Sequence, residues 1–418
     1  MTSKLVVVGL GYVGLPLVAE AVRSGLPVTG FDITPAVVEG LNSGRSHVDD
    51  LSDEEIADLV ARGFRATDDV TCIQDADVVV ICVPTPLSAE GGPDLAAVEG
   101  ACRSIGPHLR PGTLVVLEST TYPGTTAEVV RPMLEELSGL GPDRLHVAYS
   151  PERIDPGNPR FGLKNTPKVV GADDPVAAQR VHDFYAQVVD TVVVTNGTRE
   201  AESAKLLENT YRHVNIALVN EMARFFHELE IDFWEVIRLA STKPFGFQPF
   251  TPGPGVGGHC IPIDPNYLSH RVRTQLGYSF RFVELAQEIN SAMPSYVVGR
   301  VGELLNDRSR ALRGSTVLLL GVTYKPDIAD QRESPATDVA RRLLRAGAVV
   351  RYHDPYVEDW DVPGTERAEG DLLAAAADAD VTVLLQNHSD YDLDALEAGA
   401  RCLFDTRGRT TGTRAHRL

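Results

Sequence analysis

A run of four apolar residues, 5–8, is followed at once by Gly9-Leu10-Gly11-Tyr12-Val13-Gly14 and then by an apolar stretch of helical period, 15–24. Three glycines at this spacing do separate steric jobs. The first permits a tight turn, the second lets backbone approach a pyrophosphate, and the third lets the helix pack on the strand. Asp32 closes the next apolar run, 23 residues after Gly9, where a carboxylate meets ribose hydroxyls. Strand, glycines, helix and acid in this order predict a dinucleotide-binding Rossmann unit, with Gly9, Gly11, Tyr12, Val13, Gly14 and Asp32 at the cofactor. A glycine-rich turn that binds nothing is the alternative. An aspartate rather than a basic residue at this point favours NAD over NADP. Lys4, the apolar stretch 5–19 and Ala19-Glu20-Ala21 also have the outline of a signal peptide. Cleavage there would discard all three glycines, so the segment is read as the first strand and helix.

At 418 residues the chain has room for two or three domains. Its 43% apolar and 23% charged residues are the balance of an ordinary globular protein. The net charge of −19 disfavours a nucleic-acid partner. Anionic ligands must be met by local basic groups or helix N-termini. Five scattered cysteines, with no C-x-x-C pair and no zinc spacing, are no disulfide framework and predict no metal site. A reducing cytoplasm is their natural home. No apolar run approaches the ~20 residues that span a bilayer, so no membrane partner is expected.

Short apolar runs at 5–8, 27–31, 77–83, 114–117, 145–148, 168–170 and 191–195 alternate with helical periods, including 15–24 and 94–105. Continuous apolar strands between helices predict a buried parallel sheet. From Ala201, apolar residues recur at helical spacing through Leu229, predicting one long helix. Two more helices are predicted near 232–240 and 280–305, separated by a Pro- and Gly-rich loop at 243–264. Strand runs resume at 316–320, 349–353, 381–385 and 402–404. The predicted fold class is α/β, with two Rossmann-like parallel-sheet domains joined by a helical dimerisation segment. The expected divisions are 1–198 for the NAD domain, 199–306 for the helical, dimer-forming part with the catalytic loop, and 307–418 for the second α/β domain. Long helices between α/β domains commonly bury an apolar face against a twin, so a homodimer is expected.

Gly257-Gly258-His259-Cys260 lies between Pro252-Gly253-Pro254-Gly255 and Pro262. Cysteine is usually a small buried hydrophobe. That reading suits Cys82 and Cys402 in strands and Cys72 and Cys102 in apolar helical contexts, but suits a loop cysteine poorly. Glycines around a thiol admit substrate and leave N–H groups for an oxyanion, which makes Cys260 a candidate nucleophile. His259 is either its base or a packing residue. Lys205 and Asn209, four apart, share a helix face; they are either a solvated stripe or, on so apolar a helix, functional groups. Glu118-Ser119-Thr120-Thr121 and Ser150-Pro151-Glu152-Arg153 each follow a strand, where ligands of such sheets bind. Lys325 and Arg332, after a strand of the second half, are candidates to hold phosphates.

These motifs resemble the UDP-glucose/GDP-mannose dehydrogenase family of nucleotide-sugar 6-dehydrogenases. The resemblance covers 9–16, Val83-Pro84-Thr85-Pro86, 118–126, 150–153, 205–212, 253–265, 325–335 and 405–408. It implies oxidation of C6 of a nucleotide-linked hexose to a carboxylate with two NAD⁺. It implies Cys260 as nucleophile, Asp264 as the family aspartate, Lys205 and Asn209 at the oxyanion, and Thr121 and Glu152 holding the hydrolytic water. Pro84, Thr85, Thr121 and Arg332 join the cofactor set. Glu152, Arg153, Lys205, Asn209, Gly257, Gly258, His259, Lys325 and Arg407 form the substrate set. The UDP-glucose branch commonly reads G-G-S-C-x-x-K-D; here His259 and Ile263 replace the Ser and Lys. That form is more similar to the branch oxidising UDP-N-acetylhexosamines, N-acetylglucosamine or N-acetylmannosamine. UDP-glucose or dTDP-glucose is the alternative substrate. The rival functions are a two-electron 3-hydroxyacid dehydrogenase, which needs no cysteine, and a non-catalytic NAD- or nucleotide-sugar-binding regulator.

Overall fold

The computed structural model describes residues 3–48, 50–88, 92–155, 158, 160–258 and 261–418. The chain forms two compact units, Met1–Glu208 with Asn266–Tyr278, and Asn209–Pro265 with Ser279–Leu418.

The first unit is built on eight strands: β1 Leu5–Val8, β2 Val28–Phe31, β3 Arg65–Thr67, β4 Val78–Ile81, β5 Leu114–Leu117, β6 His146–Tyr149, β7 Lys168–Gly171 and β8 Val192–Thr195. They lie in the order β3-β2-β1-β4-β5-β6-β7-β8. The first six strands of that order have the 3-2-1-4-5-6 arrangement of a dinucleotide-binding sheet. The central strands read Leu-Val-Val-Val, Val-Val-Val-Ile and Leu-Val-Val-Leu because both faces are covered. Alternate residues point to opposite faces. Val7, Val80 and Val116 enter one core and Val8, Ile81 and Leu117 the other.

One junction departs from the expected parallel sheet: β6 meets β7 antiparallel, at Tyr149 opposite Gly171. The connection 150–167 holds no helix among its described residues. Parallel neighbours usually need a helical crossover, and without one the chain doubles back. β7 and β8 run parallel to each other. The doubling back returns Lys168 beside the residues that follow β6.

The second unit carries β9 Thr316–Leu320, β10 Val349–His353, β11 Thr365–Arg367, β12 Val381–Leu384, β13 Leu403–Asp405 and β14 His416–Arg417, in the order β11-β10-β9-β12-β13-β14. All its pairings are parallel. Val317, Leu319 and Val383 pack on one face with the helices Arg281–Asn306 and Pro335–Ala346; Leu318, Leu320 and Leu384 pack on the other. The short strands β3, β11 and β14 are absent from the sequence reading, since Arg-Ala-Thr, Thr-Glu-Arg and His-Arg hold no apolar run.

The predicted long helix spans Thr198–Glu228, 31 residues, and Phe233–Ala240 follows, capped by the Asp232 carboxylate. The predicted helix near 280–305 is Arg281–Asn306, with Pro294 inside it. The 243–264 loop ends where an additional helix, Asp264–Leu276, begins at Asp264-Pro265. Proline is tolerated in a first helical turn because its missing N–H has no intrahelical acceptor there. Among the described residues, no helix is long and apolar enough to cross a membrane.

Candidate active site

The carboxyl ends of β1, β2, β4, β5 and β6 gather the candidates of the first unit at one edge of its sheet. Gly9 has φ +90°, a conformation open chiefly to glycine. A Cβ on Gly14 would sit 1.9 Å from the Gly9 carbonyl oxygen, so only glycine allows the first helix to start there. A Cβ on Gly11 would meet nothing within 4 Å, leaving open space over that peptide. Asp32 accepts the Leu10 N–H at 3.0 Å and the Thr34 N–H at 2.9 Å, one on each oxygen. Each carboxylate oxygen has a second lone pair, so both retain capacity for a ribose hydroxyl. Ile33, next in the chain, is 79% exposed and offers an apolar face beside that acid. These residues fit an NAD molecule.

Pro84 is exposed and Thr85 half-buried in the segment after β4. Thr85 Oγ1 donates to the Thr120 carbonyl and Ser119 Oγ to the Val83 carbonyl, both at 2.7 Å, which ties the β4 and β5 loops together. The Tyr267 hydroxyl donates to the Thr85 carbonyl from the helix the sequence did not reveal. Thr121 is fully buried, yet its Oγ1 has no hydrogen-bond partner. A buried hydroxyl is normally paired, so this one is poised for a group the chain itself does not supply.

Glu152 is the most heavily tied candidate. One carboxylate oxygen accepts the Arg153 and Ile154 N–H groups at 2.7 and 2.6 Å; the other accepts Lys168 Nζ at 3.0 Å. Its backbone carbonyl accepts Lys205 Nζ at 2.5 Å. Burial opposes its ionisation, but Lys168 and the Ile154 N–H outweigh burial and hold its pKa below the usual carboxylate value. Arg153 bonds the Pro167 carbonyl at 2.6 Å and pairs with Glu208 at 2.7 Å. Lys205 is nearly buried, which removes the reading of a solvated stripe. Sequence reasoning overlooked Lys168 as a site residue. Its signal was a charge at the head of a buried strand, a placement rarely tolerated without partners.

In the second unit, Asn209 Nδ2 donates to Asp264 at 2.6 Å, and both side chains are buried. His259 and Cys260 lie outside the described residues. Their neighbour Gly257 is packed so closely that a Cβ would lie 2.7 Å from the Glu333 carbonyl oxygen. A Cβ on Gly258 would meet the Tyr324 ring at 2.9 Å. Lys325 is half-buried in the loop after β9. Arg332 forms a two-pronged pair with Asp330 at 2.7 and 2.8 Å and lines a cavity of about 640 Å³ within this unit. Arg407 donates to the Leu385 carbonyl at 2.6 Å. Burial, with Arg409 adding to it, lowers the Arg407 pKa to about 10. A guanidinium in that state is short of counter-charge and favours an anionic ligand.

The sheet order, the glycine turn and the acid at the end of β2 define a class, the dinucleotide-binding Rossmann proteins. Three family models match in sequence order: the NAD binding domain of the UDP-glucose/GDP-mannose dehydrogenase family over residues 3–189, its central domain over 199–292 and its UDP binding domain over 318–411. The chain belongs to the UDP-glucose/GDP-mannose dehydrogenase family. A UDP-N-acetyl-D-glucosamine 6-dehydrogenase of Pseudomonas aeruginosa is 36% identical, the match covering 86% of this chain and 84% of the relative. The solved UDP-D-ManNAc dehydrogenase of Pyrococcus horikoshii superposes with TM-score 0.89 at 32% identity, covering 99% of both chains. A UDP-glucose dehydrogenase of Pyrobaculum islandicum superposes with TM-score 0.87 at 29% identity, covering 100% of this chain and 97% of the other. The chain is therefore an enzyme, an NAD-dependent nucleotide-sugar 6-dehydrogenase.

Proposed function

We propose that the enzyme carries out the four-electron oxidation of C6 of a UDP-N-acetylhexosamine to the uronate through a covalent adduct on Cys260. Two NAD⁺ in succession would each accept one hydride, the first from the alcohol and the second from the thiohemiacetal, and Gly9, Gly11, Tyr12, Val13, Gly14, Asp32, Pro84, Thr85 and Thr121 would hold the cofactor, with Arg332 kept as a further cofactor candidate. An aldehyde carbon has no sp³ C–H of the kind the alcohol had. Addition of the Cys260 thiolate restores one as a thiohemiacetal, and its oxidation leaves a thioester. Water, held by Thr121 and Glu152, then releases the acid and returns the thiolate. Each addition places negative charge on oxygen, which Lys205 and the Asn209 amide stabilise. Asp264 occupies one Asn209 N–H and so fixes the amide plane, leaving the other N–H to donate. Arg153, Gly257, Gly258, His259, Lys325 and Arg407 complete the substrate set. The observation that carries the reading is the pair Lys205 and Asn209, both buried and each anchored by a neighbouring acceptor. We retain 1–198, 199–306 and 307–418 as the functional divisions.

The sugar assignment rests on His259 and Ile263 and on the relatives named for N-acetylhexosamines; the fold alone does not discriminate, since a UDP-glucose enzyme superposes nearly as well. Replacing a lysine by isoleucine removes a charge and suits an acetamido methyl. UDP-N-acetylglucosamine or UDP-N-acetylmannosamine is expected to exceed UDP-glucose in kcat/KM by about 10–200-fold, the range apolar contact supplies, in a panel that also holds dTDP-glucose and GDP-mannose. NADH absorbance with each sugar checks this, and two NADH per sugar separate the reaction from a two-electron oxidation. Highest kcat/KM with a glucose nucleotide overturns the branch. Equal use of NADP⁺ overturns the role of Asp32.

A homodimer is the second part of the proposal. Leu207, Tyr211, Leu218 and Phe225 are exposed at 69, 45, 52 and 42% on the long helix. Their spacings of four and seven place them on one face, an apolar stripe that a second copy would cover. Light scattering is expected to give the mass of two chains at micromolar concentration; a single-chain mass refutes the dimer.

A further inference from the structure

We infer that Lys168 is a positioning residue for Lys205, acting through the turn at Glu152. The inference rests on the catalytic reading of Lys205 and Glu152 above.

Lys168 opens β7 and is 2% exposed. Its Nζ lies 3.0 Å from Glu118 Oε1 and 3.0 Å from Glu152 Oε2. Glu118 ends the β5 side of this cluster; it also accepts from the Tyr185 hydroxyl, and Cys82 Sγ stands 3.8 Å from its second oxygen. An ammonium buried in this way requires close anionic partners to offset lost hydration. What it holds is a turn. The Glu152 carboxylate closes 152–154 by accepting two backbone N–H groups, and the carbonyl of the same residue receives Lys205 Nζ. Arg153 straps the same turn to Pro167, beside Lys168, and to Glu208, three residues past Lys205. The contacts therefore run without a gap from β7, through the Glu152 turn, to the amine on the long helix.

The charges agree with this arrangement. Burial drives the Glu118 pKa up in spite of Lys168, whereas Glu152 is held down. Burial, with Glu118 nearby, also pushes Cys82 and Tyr185 well up, so both stay protonated. Glu118, Glu152, Lys168 and Lys205, with the mutually neutralising pair Arg153 and Glu208 beside the turn, then set the charge of the cluster. Without Lys168, two carboxylates share a buried site, and one must take a proton. Glu118, already raised by burial, takes it first; Glu152 loses its ammonium partner, protonates more readily and keeps only its two backbone N–H groups, so the turn is loosened from β7 and with it the carbonyl that orients Lys205.

The test compares Lys168→Met, Lys168→Arg and Lys205→Ala, with kcat and KM measured across pH on the preferred nucleotide sugar and melting followed alongside. Lys168→Met is expected to lower kcat by about 10²-fold, the scale of a misplaced catalytic group, with KM little changed. Its acid limb should move to higher pH, and Lys168→Arg should recover most of the rate. A purely structural lysine would lower the melting temperature and leave the kcat pH profile in place. Full kcat and an unmoved acid limb in Lys168→Met, with Lys205→Ala impaired, overturn this inference alone. Unchanged kcat in Lys205→Ala overturns the catalytic reading beneath it. If Lys168→Met does not fold, the double variant Lys168→Met/Glu118→Gln keeps the cluster's net charge. With only one carboxylate left there, the acid limb is expected to stay near its place and the rate is the readout; a full kcat in the double variant overturns the inference equally.

Discussion

Cys260→Ala is expected to abolish uronate formation, lowering its rate by roughly 10⁴-fold or more, the scale on which loss of a catalytic nucleophile acts. Alanine forms neither the thiohemiacetal nor the thioester, so C6 stops at the aldehyde level. No other described cysteine is placed to substitute. Burial pushes Cys72 to about 11, Cys102 to about 12, and Cys82 and Cys402 upward as well, so none supplies thiolate near neutral pH. Cys260→Ser retains an oxygen nucleophile whose hydroxyl stays protonated. It should lose most of the rate and accumulate an acyl ester. The acid is measured by chromatography and the ester by intact-protein mass. Near wild-type acid production by the alanine variant excludes covalent catalysis through this residue.

Lys205→Ala is expected to lower kcat by about 10²–10³-fold, the usual cost of removing one oxyanion donor. KM should rise far less, because the charge that Lys205 meets develops chiefly in the transition state. The amine is nearly buried and anchored on the Glu152 carbonyl, so its donors are preorganised rather than solvated. Steady-state kinetics with saturating NAD⁺ separate the two effects. An unchanged kcat returns Lys205 to a structural role.

Much of the molecule is legible residue by residue. Gly9 and Gly14 mark the dinucleotide turn because φ > 0 and a near-contact of backbones are local demands. The runs at β1, β4 and β5 declare a buried sheet because both faces are apolar, and Val7 and Val8 part to opposite cores as the strand period requires. The helix Asp264–Leu276 escaped notice because its residues are mostly polar; Tyr267 is its fully buried anchor, and the Thr85 carbonyl opposite gives that tyrosine meaning.

The sequence by itself determined the features whose causes lie within a few residues: the glycine turn, the acid at the end of β2, the alternating sheets, the long helix and the cysteine loop. Only the tertiary structure decided that β7 runs against β6, and that Lys168 therefore stands between Glu118 and Glu152. Those three side chains come from separate segments of the chain, and the state of each is set by the others. A lysine at the head of a buried strand calls for partners, but which side chains bury and neutralise it is decided only when the separate segments pack together.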